Sequence, residues 1–254
     1  MRKIDRQSML VELVRKTGKS KVDALADSLR ASPETIRRDL IDLDKQGKVQ
    51  KVHGGAIIPQ PLGEGPFQQR LSENAAAKIA IAKAAVPLFQ PGETLFVDTG
   101  STTLYFAEAA AQIDGLTIIT NSTEIARVFD KAANGHQVIL LGGAFSAGNS
   151  QTLGPMVTAQ INAFNADHTV LTVGALHARF GAVDYNFDEA QVARAMVERS
   201  ARVTILADNT KFSAHASFSA CPLRDISTLV TNIAPPTPLQ TALGAQGTRI
   251  VTTG

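Results

Sequence analysis

Two stretches of this chain carry side chains that can do chemistry. In "SPETIRRDL", residues 32–40, Arg37 and Arg38 stand side by side shortly after a serine and a proline. Arginine's planar guanidinium matches guanine edges and phosphates, so an outward pair near a helix start suits a nucleic-acid surface. The competing reading is a plain helix whose arginines only neutralise Asp39 and Asp42. In "DTGSTT", residues 98–103, Asp98 and Thr99 lead into Gly100 and the hydroxyls of Ser101, Thr102 and Thr103. Glycine lets a backbone approach, and helix-start N–H groups together with hydroxyls can cradle an anion. Asp98 and Asn121 can hydrogen-bond sugar hydroxyls, and Lys211 can supply a cation. That chemistry is the capture of a small, polyhydroxylated, phosphorylated ligand. Serine and threonine at helix starts are also common as plain caps.

The arginines need a helix to present them. Ser32 suits an N-cap and Pro33 the first helical position. Ile36, Leu40 and Leu43 then fall at i, i+4 and i+7, one buried stripe, which leaves Arg37 and Arg38 facing outward. Upstream, Met9, Leu10, Leu13 and Val14 predict a first helix over about residues 4–17. Ser20 and Asp23 read as an N-cap pair opening a second helix, with Val22, Leu25, Ala26 and Leu29 inward. Gly47 stops the third helix. "KVQKVHGGA" alternates and ends in Gly-Gly, which suits a β-wing whose Lys48, Lys51 and His53 could hold phosphates. Three helices and a wing describe a winged helix-turn-helix whose third helix can enter the major groove, with a further phosphate site at the helix start near Thr35.

Charge agrees with this division. Residues 1–55 hold 13 Lys/Arg against 8 Asp/Glu, whereas residues 56–254 hold 12 against 15. A basic head on a slightly acidic body points to nucleic acid as the head's partner. Pro- and Gly-rich "IIPQPLGEGPFQ" reads as a linker, giving a DNA-binding domain over 1–57, a linker over 58–73 and a second domain over 74–254.

In the second domain short apolar strands ("ETLFVD", "LTIIT", "QVILL", "HTVLTV", "RVTILAD", "TLVTN", "TRIVT") alternate with helices. This predicts a Rossmann-like parallel α/β sheet. In such sheets ligands bind outside the carboxyl ends of the strands. Asp98 to Thr103, then Thr120, Asn121 and Ser122, then Gly142 and Gly143, then Asp208 and Lys211 fall at those ends. Gly142 and Gly143 also fit a simple turn. Asp184, Asp188 and Glu189 read as a solvated helix start favoured by the macrodipole. No Walker A loop or GxGxxG fingerprint is present. His53, His136, His168, His177 and His215 lack metal-ligand spacing, so neither metal nor cofactor is called for; His168 reads as a packed or edge residue. No apolar run reaches the roughly 18 residues of a membrane span. Cys221 is the only cysteine and no secretory leader is evident, so a cytoplasmic location is expected.

The head "SPETIRRDLIDLDKQGKVQKVHGGA", with "FVDTGSTT", "ITNS", "LLGG", "VGAL" and "ADNTKF", resembles the DeoR family of bacterial transcriptional regulators. The resemblance runs over nearly the whole chain. It implies a repressor of a carbohydrate or polyol operon, released from operator DNA by a phosphorylated sugar or related metabolite. It also implies a homodimer or homotetramer, and a sensor similar in fold to ribose-5-phosphate isomerase and coenzyme A transferases but without catalysis. Carried over by motif, Ser32, Pro33, Glu34, Thr35, Arg37 and Arg38 meet DNA, with Lys51, His53 and Gly54 in the wing. Asp98, Gly100, Ser101, Thr102, Thr103, Asn121, Ser122, Gly142, Gly143 and Lys211 surround the effector. "DYNFDEAQVARAMVERSARV" and "NIAPPTPLQTAL" also resemble the glycerol-3-phosphate repressor branch. Where relatives often carry a basic residue after Gly-Gly, "GGAFSAGNSQTLG" has none, so phosphate charge falls to Lys211, Lys78 or helix starts. The alternative is a sugar-phosphate isomerase or transferase with Asp98 or Glu189 as base and Lys211 as anion clamp.

Overall fold

The computed structural model describes residues 2–17, 19–45, 48–52, 54–57 and 65–253. The chain divides into two compact units, Met1–Leu62 and Gly63–Gly254.

The first unit runs α1 (Lys3–Thr17), β1 (Lys19–Lys21), α2 (Val22–Leu29), α3 (Pro33–Lys45), β2 (Gln50–Val52) and β3 (Gly55–Ile57). Leu10, Val14, Leu25, Leu29, Ile36, Leu40 and Leu43 pack together in its core with Val49 and Ala56 of the wing. The expected stripe on α3 is therefore buried. Met9 is not: Leu10 and Val14, one turn apart, occupy the seam of α1, and Met9 beside them is 46% exposed. The sheet is three-stranded, in the order β1-β3-β2 and antiparallel throughout. Ser20 does not cap α2. Pairing with Ala56 holds it in β1, its hydroxyl meets that of Thr17 at 2.6 Å, and Lys21 precedes the helix without a side-chain cap. Gly55 permits this third strand, because a Cβ there would stand 2.2 Å from the Ser20 carbonyl oxygen. Gly54 turns the wing with φ +72°, a left-handed conformation that costs glycine little.

The second unit continues α4 (Phe67–Ser72), α5 (Ala75–Ala85), β4 (Thr94–Val97), α6 (Ser101–Ala110), β5 (Thr117–Thr120), α7 (Thr123–Lys131), β6 (Gln137–Leu140), β7 (Ala144–Ser146), β8 (Gln151–Leu153), α8 (Pro155–Ile161), β9 (Ala166–Leu171), β10 (Ala175–His177), β11 (Gly181–Asp184), α9 (Phe187–Glu198), β12 (Ser200–Leu206), β13 (Phe218–Cys221), β14 (Thr228–Thr231), α10 (Thr237–Ala245) and β15 (Arg249–Thr252). Residues 67–72, inside the stretch read from sequence as linker, form α4, with Phe67 buried at its start.

Seven strands form one parallel sheet in the order β15-β14-β12-β9-β4-β5-β6. Alternation along the strands builds two cores, one on each face. Leu95, Val97, Ile118, Val170, Leu206 and Val230 join residues of α5, α6 and α7. Phe96, Ile119, Leu171, Ile205 and Leu229 join residues of α8, α9 and α10 on the other face. The chain lays β5 and β6 on one side of β4 and then returns to place β9, β12, β14 and β15 on its other side. The order reverses between β4 and β9, and such a switch point leaves a crevice outside the carboxyl ends of the two strands. The hairpin β7-β8 and the small sheet β10-β11-β13 are additions to this frame.

Candidate functional sites

In the first unit the start of α3 is built as the sequence requires. Ser32 Oγ accepts from the Thr35 N–H at 3.2 Å and meets the Thr35 hydroxyl at 2.8 Å, so Ser32 is the cap. The side chains of Arg37 and Arg38 are 52% and 78% exposed, each loosely paired with Glu34 at 3.6 and 3.4 Å. They do not neutralise Asp39 or Asp42. Asp39 is buried and bound by Arg6 at 2.5 Å, and Asp42 pairs with Lys3 at 2.7 Å. Arg6 is held above the ordinary arginine range by its hydrogen bond to Asp39, against the opposing pull of burial. These bonds tie α1 to the inward side of α3 and leave its arginine face open. Lys51 is exposed on β2, its N–H donating to Asp44 at 2.9 Å. Gly54 lies at the wing turn, and His53 falls outside the described residues. An exposed helix start carrying two arginines, beside a hairpin carrying Lys51, can take phosphates and base edges.

In the second unit, five segments close a ring at the switch point. The turn after β4 lies against the end of β9: a Cβ on Gly100 would stand 1.9 Å from Thr172 Cγ2. The end of β9 lies under the β11-α9 turn, with Gly174 so close to the Tyr185 ring that a Cβ would stand 2.8 Å away. Asn186 caps α9 by accepting from the Asp188 and Glu189 N–H groups at 2.8 and 3.3 Å. Glu189 Oε1 accepts from Asn149 at 2.9 Å and Gln151 at 2.5 Å, across the β7-β8 turn. Asn121, after β5, donates to the Thr152 carbonyl at 3.1 Å and accepts from Thr99 Oγ1 at 3.1 Å, which returns the ring to its start.

Within that ring Asp98 is buried and accepts from the Thr99 N–H at 2.7 Å. Gly100 precedes α6 without a side-chain cap, and the first turn of α6 holds no acidic residue. Thr103 donates to the Gly100 carbonyl at 3.1 Å. Ser101 and Thr102 are 5% and 1% exposed, and neither hydroxyl has a protein partner among the described residues. Their oxygens and the uncapped N–H groups beside them can bind an anion.

Other expected positions are placed differently. Ser122 caps α7, accepting from the Ile125 N–H at 3.3 Å. Gly142 has both sides of its backbone held by Gln160, its N–H donating at 3.1 Å and its carbonyl accepting at 2.6 Å. A Cβ on Gly143 would stand 2.6 Å from Val157 Cγ2 and 2.7 Å from the Leu153 carbonyl oxygen. Packing thus accounts for Gly143, whereas a Cβ on Gly142 would meet Gln160 only at an ordinary 3.7 Å. Lys211 lies on a short 3-10 turn after β12, where its N–H donates to the Asp208 carbonyl at 3.1 Å. Lys78 is buried, its ammonium donating to the Arg70 carbonyl.

The acidic cluster before and within α9 also lies against this ring. Asp184 is buried, and Glu189 is half-buried with amide partners. Of the cluster expected as a solvated helix start, only Asp188 is exposed. The turn packs on Gly174 and the hairpin, which turns its carboxylates inward. Arg70 donates to Asn149 Oδ1 at 2.9 Å and to the Gly65 carbonyl at 3.0 Å, which brings α4 to the same hairpin turn. No local signal marks Arg70, because its partner lies 79 residues away.

His168 is packed as expected, buried in β9 with its ring 4.8 Å from that of Phe89. Burial first, and Arg202 second, hold it below the ordinary histidine range, against the pull of Glu93 at 3.6 Å.

Both units match known families. Residues 6–61 match a DeoR-like helix-turn-helix domain, and residues 73–232 match the DeoR C terminal sensor domain. The chain is 30% identical over 238 residues to the HTH-type transcriptional repressor CsqR of Escherichia coli K12, covering 94% of this chain and 91% of that protein. It is 27% identical to the glycerol-3-phosphate regulon repressor of the same organism, covering 93% of each. A ribose 5-phosphate isomerase A structure from Methanocaldococcus jannaschii overlaps 55% of each chain with a TM-score of 0.40 and 15% identity. The sequence relatives are named as repressors, which removes the isomerase or transferase alternative.

Proposed function

This chain belongs to the DeoR family and is a DNA-binding transcriptional repressor, and from that premise we propose that it governs a carbohydrate or polyol catabolic operon and leaves its operator when a phosphorylated sugar or polyol binds. The observation that carries the proposal is the ring at the switch point. Asp98, Gly100 and Asn121 lie together beside the start of α6, where the Ser101 and Thr102 hydroxyls have no protein partner among the described residues, and this supports the reading. An anion at the start of α6 beside acceptors for hydroxyls is the chemistry of a sugar phosphate. On the DNA side Ser32 and Pro33 set the start of α3, and Glu34 brackets the arginine pair. Thr35, Arg37 and Arg38 then meet the major groove while Lys51, His53 and Gly54 of the wing follow the backbone. A repressor of this kind works as a homodimer or homotetramer, because paired half-sites match a two-fold protein. Among the described residues no helix is long and apolar enough to cross a membrane, and we place the protein in the cytoplasm with its operator.

The test has two arms. Mobility shift on the promoter of the protein's own operon, at fixed salt, should show Arg37→Ala losing about 1–3 kcal/mol of binding if that side chain reads a base. The wild-type complex should weaken steeply with salt as phosphate contacts are screened. Unchanged binding by the Arg37→Ala, Arg38→Ala double variant would remove the α3 interface. In the second arm a panel of phosphorylated sugars and polyols is screened for a rise in melting temperature, since a ligand of the native state stabilises it. Glycerol 3-phosphate comes first, given the name of the 27% identical relative. A ligand that stabilises the chain but leaves operator affinity unchanged is not the inducer.

A further inference from the structure

Two helix starts face the ring, and their first turns differ in character. That of α6 holds no acidic residue, whereas that of α9 holds Asp188 and Glu189. Glu189 is the one that enters the ring. Its Oε1 is fixed as an acceptor by the Asn149 and Gln151 amides, and Gln151 is itself buried. Its Oε2 has no protein partner among the described residues, and no described cation lies within ion-pair distance of the carboxylate. A half-buried carboxylate locked by one oxygen and open at the other is an acceptor-only group. A hydroxyl satisfies it, and a second anion is repelled.

We propose that Glu189 is the hydroxyl acceptor that sets the effector class. The ligand carries its anionic group toward Ser101 and Thr102 of α6 and presents a neutral, hydroxyl-bearing end to Glu189. This rests on the sugar-phosphate reading of the site and sharpens it: compounds with one anionic end bind, and compounds anionic at both ends are rejected. Charge at the two helix starts gives the ligand its direction. The first turn of α6 carries no acidic residue to oppose the anion, while Asp188 and Glu189 in the first turn of α9 oppose the corresponding attraction there.

The experiment is titration calorimetry on the full chain with three pairs of probes. These are glycerol 3-phosphate and 3-phosphoglycerate, glucose 6-phosphate and 6-phosphogluconate, and fructose 6-phosphate and fructose 1,6-bisphosphate. In the pair that binds, the wild type should favour the member with one anionic end by about tenfold or more, the worth of a hydrogen bond to a charged group. Glu189→Gln keeps an acceptor for Asn149 and Gln151 but turns the open oxygen into a donor. It should bind that member about tenfold more weakly and lose most of the discrimination. Asp188→Asn removes a charge from the same turn outside the ring and should leave the ratio unchanged; an equal shift there would reduce the effect to long-range charge and overturn the assignment. Unaltered discrimination in Glu189→Gln, with a melting temperature close to that of the wild type, would overturn it as well and leave the sugar-phosphate reading standing. A wild type that binds none of the six at millimolar concentration would sink that reading and this inference together.

Discussion

Adding one methyl group at Gly100 tests whether the ring is as tight as its contacts imply. The glycine has φ 177°, extended backbone that alanine adopts freely, so Gly100→Ala introduces no backbone strain. Most of its cost is steric, beyond the smaller preference for glycine over alanine at a helix N-cap. The new Cβ would stand 1.9 Å from Thr172 Cγ2, 3.3 Å from Thr172 Cβ and 3.1 Å from Thr103 Oγ1. Carbon atoms rest about 3.5 Å apart, so the turn and the end of β9 must separate by roughly 1.6 Å, or Thr172 must leave its rotamer. Threonine is branched at Cβ and has little freedom to do so. Overpacking of this kind costs about 1–3 kcal/mol, which for a unit of this size lowers the melting temperature by some 2–12 °C. Thr172→Ser removes the offending methyl, and the double variant should recover about 1 kcal/mol or more as a coupling between the two sites. Thermal melts of the four proteins measure this directly. Two results would refute the reasoning: a single variant as stable as the wild type, or a double variant whose losses simply add. The first would mean that the crevice is wider than its contacts indicate, and the second that Thr172 is not the neighbour that matters.

Two further expectations concern other parts of the molecule. Gly55→Ala drives a Cβ to 2.2 Å from the Ser20 carbonyl oxygen, backbone that cannot swing aside, so β1 must detach from β3. Operator binding in a mobility shift should fall sharply while effector-induced stabilisation of the second unit persists; intact DNA binding would show that the third strand is dispensable. His168, whose folded pKa lies below its ordinary value, takes up protons more readily in the unfolded chain. Its contribution is therefore full above about pH 6.5 and is lost as pH falls below that value. His168→Leu should melt with a shallower acid dependence between pH 7 and 5, and curves that remain parallel would contradict the assignment.

Much of the first unit was legible because its signals are local. Ser32, Pro33 and the Ile36, Leu40, Leu43 stripe lie within twelve residues, and cap, first turn and buried face follow from spacing alone. Ser20 was misread for the opposite reason. Its serine chemistry suits a cap, but pairing with Ala56, 36 residues later, decides its backbone. The parallel sheet was legible as alternating apolar runs, whereas the hairpin β7-β8 and the sheet β10-β11-β13 were not. Strands of the parallel sheet such as TLFV and TIIT are just as short but are apolar runs set between helical patterns, whereas AFS, QTL, ALH and FSAC mix polar and small residues and are paired only by tertiary contacts.

The same distinction decides what could be read of the site. Residues such as Asp98, Gly100 and Asn121 follow a strand directly, so the rule that ligands gather at strand ends makes them candidates, and the structure brings them together at the switch point. Glu189 follows a helix cap, and its sequence neighbours Asp184 and Asp188 make it look like one more solvated carboxylate. What separates it from Asp188 is the hairpin turn, which places Asn149 and Gln151 against one of its oxygens. That hairpin is an insertion beyond the parallel frame, and the frame alone would leave α9 with an ordinary acidic first turn. On the reading proposed above, the anion end of the site lies at the start of α6. If Glu189, held by the hairpin, is the hydroxyl acceptor proposed above, relatives sharing the frame but differing at residues 144–153 should differ in ligand while keeping the turn before α6.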